Sequence, residues 1–78
     1  MLNISKGLGW LMEFVVNGEP KQAAEGYTVA DLVREMGLEG RRLAVEVNLD
    51  IVPRSFHAEH QLQAGDKVEV VHAIGGGQ

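Results

Sequence analysis

His57 and His60 stand three residues apart, a spacing that would place two imidazoles on one face of a helical turn. Two imidazoles can share a zinc ion, but a closed zinc site needs four ligands. The chain has no cysteine, and no third ligand accompanies the pair, so both read as loop histidines and no metal site is expected. His72 follows Val70 in an alternating run, where a lone histidine is more often structural than catalytic. The acidic residues are spread over turns and polar strand positions, and no two form a general acid/base pair. Arg41, Arg42 and Arg54 are too few to follow a nucleic-acid backbone, and they read as solvated groups or partner contacts. The three glycines of "IGGGQ" are not a phosphate loop, because no lysine and no helix follow them. These residues assemble no self-contained enzyme, and the expectation is a non-enzyme that binds no cofactor of its own.

The glycines suggest a different chemistry. A terminal carboxylate has a pKa of about 3.5, so it is ionised and unreactive at neutral pH. It becomes an electrophile once another enzyme activates it, for instance as an acyl-adenylate. The activated end must reach that enzyme's ATP through a narrow channel. Glycine suits the passage, since it has no side chain and adopts any backbone angle. Residues 75–78 are therefore expected to form a flexible tail, with Gly75, Gly76 and Gly77 as its working part.

The totals narrow the setting. At 78 residues the chain is one small domain, expected to be a monomer when free. Without cysteine it has no disulfide and no thiol nucleophile, which fits a reducing, cytoplasmic compartment. The formal net charge of -4 argues against nucleic acid or an anionic membrane as partner. No apolar run is long enough to span a bilayer. The opening "MLNISKGLGWL" lacks the length and cleavage site of a signal peptide. Residues 1–11 read as a disordered extension, and patterned sequence starts at Met12, itself a possible initiator.

From there the elements follow in order. "MEFVV" is a strand, and Asn17-Gly18 is a hairpin turn of the type that needs positive φ twice. Lys21 to Glu25 is a short return strand at an edge, broken by Gly26. Thr28 and Asp31 form a capping-box-like start. Val29, Leu32, Val33 and Met36 then make one apolar helical stripe, ended by Gly37. Leu43, Val45 and Val47 alternate as a strand, with a turn at Asn48-Leu49-Asp50. Ile51-Val52 is a short strand stopped by Pro53. Ser55 to Gln63 is irregular, with one helical turn, and Gly65-Asp66 leads into the last strand, "KVEVVHAI". The order β-β-α-β-β-β predicts an α+β, ubiquitin-like β-grasp domain over residues 12–74. In it one main helix lies across one face of a mixed sheet of about five strands, with the first and last strands as central neighbours.

If Phe14, Val16, Val68 and Val70 face the helix, then Val15, Val71 and Ala73 face away, with Ile74 leading into the tail. Apolar groups on a face expected to be wet mark a docking surface for a partner, with Val15 and Val71 as neighbours.

The segments "FVVNGEP", "TVADLVREMGLEGRRLAVEVN", "IVPRS" and "GDKVEVVHAIGGG" together resemble the ThiS family, the ubiquitin-like sulfur carriers of thiamine biosynthesis. The resemblance covers Met12 to Gly77. It implies a protein substrate. A ThiF-type adenylyltransferase uses ATP and magnesium to adenylate the terminal glycine. A persulfide from a cysteine desulfurase displaces AMP from the adenylate, and a thiol then cleaves the S–S bond of the acyl disulfide so formed. The resulting thiocarboxylate gives its sulfur to thiazole synthase, ThiG. Carried onto this chain, the modified residue is Gly77, with Gly76 as the second glycine of the pair. Gln78 departs from the family's Gly-Gly end and must be trimmed, tolerated or foreign. The small subunit of molybdopterin synthase shares the fold and tail but usually has a proline-containing apolar stretch before the glycines, which "VVHAIGGG" lacks. A plain ubiquitin-like interaction module, with the glycines as a loose end, is the alternative of another class.

Overall fold

A computed structural model of the chain describes residues 11–73. Residues 1–10 of the expected extension, Ile74 at the end of the expected domain, and the expected tail over 75–78 lie outside the described residues.

Strands β1 (Leu11–Val16) and β2 (Glu19–Ala24) form the opening hairpin. β1 begins at Leu11, paired with Ala24, one residue before the expected start at Met12. Asn17 and Gly18 have φ of 50° and 85°, the two positive values a type I′ turn demands. This tight turn pairs Val16 directly with Glu19, so β2 starts ahead of the expected Lys21. Pro20 is tolerated because β2 is an edge strand, where alternate backbone groups face solvent.

Helix α1 (Val29–Glu35) has the expected capping box. Thr28 Oγ1 accepts from the Asp31 N–H, and Asp31 accepts from the Thr28 N–H. The remaining first-turn donors also find partners: Val29 N–H donates to the His60 carbonyl and Ala30 N–H to that of His57. The irregular segment after β4 thus closes the helix start, which would otherwise bury unpaired donors. At the other end Gly37 takes φ 75°, while Leu38 N–H donates to Val33 O and Gly37 N–H to Arg34 O. This is a complete Schellman motif, and Leu38 and Val33 are both buried beneath it. The motif corrects one expectation. Met36, assigned to the apolar stripe, is the exposed C-cap residue, and Leu38 takes its place in the core.

β3 (Leu43–Val47), β4 (Asp50–Val52) and β5 (Lys67–His72) complete a five-stranded sheet in the order β2-β1-β5-β3-β4. β1 and β5 pair in parallel at the centre, and every other pairing is antiparallel. A short 3-10 turn, Arg54–Phe56, supplies the helical turn expected in the irregular segment. Phe14, Val45, Val68 and Val70 are buried on the inner face with Val29, Leu32 and Leu62. Val16 packs against this core from its margin. Among the described residues no helix is long and apolar enough to cross a membrane.

A polar strap ties the helix to the edge strand. Tyr27 Oη donates to Glu35 Oε1 at 2.6 Å, and Lys21 Nζ lies 3.0 Å from the same oxygen. The Tyr27 hydroxyl, followed by Lys21, holds the Glu35 carboxyl below its ordinary range. Burial, and then the bond to Glu35, push the Tyr27 phenol up. Because the folded-state pKa of Glu35 is depressed, the strap's contribution is present above the unfolded value of about 4.3 and is lost as pH falls through the folded value. Glu35→Gln should therefore lower the urea midpoint slightly at neutral pH, as exposed ion pairs contribute little. The gap from wild type should close in acid. A gap that widens in acid would contradict this assignment.

Candidate functional site

Successive strand residues point to opposite faces of a sheet, so the core just described defines an outer face that no helix among the described residues covers. Its geometry is read from the cross-strand pairs. Ala44 lies opposite Val71 and Glu46 opposite Glu69 on β3 and β5, and Ile51 of β4 lies opposite Glu46. Val71 and Ile51 are 66% and 62% exposed, far more than their counterparts on the inner face. Ala73 is also exposed, and its N–H donates to Arg42 O at 3.1 Å, which extends the β5 pairing one residue past the strand. The outer face therefore carries an apolar row of Val71 and Ala44 beside the point where the chain leaves the sheet for Ile74 and the glycines.

The structure separates two residues that the sequence reading placed together. Val15 lies opposite Lys67 in the parallel pairing, and on its other side opposite Pro20. Val71 is four positions further along β5, beyond the end of β1 at Val16, or roughly 13 Å at strand rise. Val15 is half-buried on the same face but does not touch the apolar row at the tail root. β1 reaches only the first part of β5 because the Asn17-Gly18 turn reverses the chain there. The Asn17 side chain then stands in for the missing strand. Its Oδ1 accepts from Val70 N–H at 2.8 Å, and its Nδ2 lies 3.4 Å from Val70 O. Asn17 thus has two roles, as turn former and as the group that holds β5 in line toward the tail. Only its role in the turn was legible from the sequence. Ile74, Gly75, Gly76, Gly77 and Gln78 lie outside the described residues.

The histidines separate into distinct roles. His57 is buried, and its Nε2 lies 3.0 Å from Val52 O, so the ring donates to that carbonyl. It is a structural strut between β4 and the segment that caps the helix. His60 contributes its backbone carbonyl to the helix start. His72 is half-buried on the inner face opposite Leu43, and its Nδ1 is enclosed without a hydrogen-bond partner among the described residues. Arg54 donates to Arg41 O, which ties the 3-10 turn to the loop before β3.

Comparison with known proteins agrees with this architecture. The family model described as the ThiS family matches residues 8–77. The thiazole synthase of Paramagnetospirillum magneticum is 46% identical over 66 residues, which is 85% of this chain but 20% of that protein. This chain therefore spans about one fifth of the length of that relative, and much the same holds for the thiazole synthase of Magnetococcus marinus, at 21%. The sulfur carrier protein ThiS of Escherichia coli is 33% identical over 66 residues, covering 85% of this chain and 100% of that protein. The crystal structure of the thiamine biosynthesis protein ThiS from Geobacter metallireducens superposes with a TM-score of 0.69 at 29% identity, over 85% of this chain and all of that one. A family match running from before β1 to the third glycine, together with a mixed sheet whose central last strand feeds that glycine run, establishes that this chain belongs to the ThiS family of ubiquitin-like sulfur carriers.

Proposed function

We propose that this chain is a protein co-substrate that carries sulfur for thiazole formation in thiamine biosynthesis, with Gly77 as the residue modified. The observation that carries the reading is the extent of the family match, which continues past the described residues through Gly77. A domain selected only for its core would need no match over a side-chain-free tail. The fold supports the reading as well. β5 is the strand between β1 and β3, so the chain leaves the domain from the centre of the sheet. The chemistry belongs to partners: a ThiF-type adenylyltransferase working with ATP and magnesium, a persulfide donor, and a thiazole synthase of the ThiG type. The relatives that carry this domain's sequence within a thiazole synthase support the last of these. The test is to incubate the chain ending at Gly77 with a matched ThiF-type enzyme, ATP, magnesium, a persulfide donor and a thiol reductant, and to look for a thiocarboxylate by intact mass.

The outer face at the tail root is the docking surface in this reading, centred on Val71 with Ala44 and Ala73. Val15 belongs to its far margin. Val71→Lys should leave the domain folded, because the side chain is mostly in water. It should weaken binding to the adenylyltransferase by roughly tenfold or more, as a charge placed in an apolar contact does. Binding equal to wild type, measured by calorimetry, would remove Val71 from the interface.

A further inference from the structure

Glu46 and Glu69 are Cα partners in the antiparallel pairing of β3 with β5, both on the outer face. Like charges placed directly opposite each other destabilise a sheet. Among the described residues neither is paired with a cation. The ion pairs among the described residues are Lys21–Glu35 and Arg34–Asp31, and Lys67, next on the same face, joins neither carboxylate. No other Cα pair in the described sheet sets two like charges opposite each other, and the neighbouring β3–β5 pairs on the inner face are apolar, as in Val45–Val70 and Val47–Val68. An uncompensated carboxylate pair one row from Val71 and Ala44 is the exception.

Resting on the docking surface proposed above, we propose that Glu46 and Glu69 are the seat for an arginine of the partner protein that covers this face. The chemistry favours arginine over other occupants. A guanidinium presents a planar fork of donors that can serve two carboxylates together. Its aliphatic stem lies well on an apolar strip, here Val71 with Ala44 on one side and Ile51 on the other. The chain's net charge of -4 draws a basic partner surface toward it. The seat lies beside the strand that leads to the glycines, so an arginine held there also fixes where the tail enters its partner.

The experiment measures binding of the full-length chain to a matched ThiF-type adenylyltransferase by calorimetry, without ATP, at low and high salt. The variants are Glu46→Gln, Glu69→Gln and the double substitution, with Val71→Lys as the control for docking itself. Each single variant should bind roughly tenfold more weakly, the fold-change expected when a hydrogen bond to a charged group is lost. The double variant should show a shallower salt dependence. The melting temperature of each free variant should equal or exceed that of wild type, since a repulsion has been removed. Wild-type affinity in the double variant, while Val71→Lys still binds more weakly than wild type, overturns the arginine seat and leaves the docking reading standing. A wild-type chain that does not bind at all overturns both. A marked fall in melting temperature shows that the carboxylates serve the fold and overturns the proposal. So does self-association of the wild type that Val71→Lys abolishes, because the occupant of the face is then a second copy.

Discussion

A chain ending at Gly77 should exchange a carboxylate oxygen for sulfur, and the chain ending at Gln78 should not. Adenylation takes place on whichever carboxylate is terminal. In the proposed reading the glycine end must enter a narrow channel to reach ATP, and a glutamine adds bulk and polar groups that a channel fitted to glycine would exclude. The effect expected is close to all-or-none, because the reacting atoms must be held within a fraction of their working geometry for group transfer to proceed. Both chains share every residue from Leu11 to Ala73, so the fold and the docking face are constant between them. Given a ThiF-type enzyme, ATP, magnesium, a persulfide donor and a thiol reductant, intact-mass analysis should show the exchange in the shorter chain. In the longer chain it should appear only on molecules that have lost Gln78. Thiocarboxylate on a molecule that retains Gln78 would refute the block. Failure of the Gly77-ended chain with a matched enzyme would count against the carrier function itself.

Local chemistry made most of the fold legible in the sequence. The Thr28–Asp31 box, the Asn17-Gly18 turn and the glycine stop at Gly37 each act within a few residues, and each stands where the sequence put it. Alternation assigned Phe14, Val68 and Val70 to the inner face and Val71 to the outer one. Periodicity gives a residue's face but not its register against a distant strand. This is why Val15 and Val71 share a face without being neighbours. The β1–β5 register is set by two turns and by the Asn17 side chain, contacts between residues 53 apart in sequence. The same limit hid the strut made by His57, whose acceptor, Val52 O, is brought within reach by the 3-10 turn. The Glu46–Glu69 opposition also exists only once β3 and β5 are in register.

One position contradicts local preference outright. The second hairpin turn places Asn48 and Leu49 at φ 53° and 74°, with leucine at the place glycine holds in the first. Leucine there is sterically costly and, being 81% exposed, gains no burial in return. The turn is held from its other side. Asn48 Nδ2 donates to Asp66, Asn48 Oδ1 accepts from Lys67 N–H, and Asn48 N–H donates to Lys67 O. Three tertiary bonds thus impose a conformation that the dipeptide itself does not favour.

Phe14→Ala should unfold the domain and abolish sulfur loading together, although it leaves the glycine tail untouched. Phe14 is 1% exposed on β1, the strand that joins the hairpin to β5, and its ring centroid lies 5.9 Å from that of Tyr27. Truncating a buried phenylalanine costs about 3–5 kcal/mol. A small domain has only roughly 5–15 kcal/mol in total, and at this size it falls toward the low end. The variant should therefore be largely unfolded under conditions in which wild type is folded, as read by loss of a cooperative urea transition. Phe14→Leu keeps most of the volume and should cost less than about 1.5 kcal/mol, so it should fold and load normally. Loading separates two accounts of recognition. If the adenylyltransferase reads the outer face before admitting the tail, the unfolded Phe14→Ala chain ending at Gly77 should acquire no thiocarboxylate. Loading of that unfolded chain at the wild-type rate would show that the tail alone is recognised, and the outer face at Val71 would then have no part in activation.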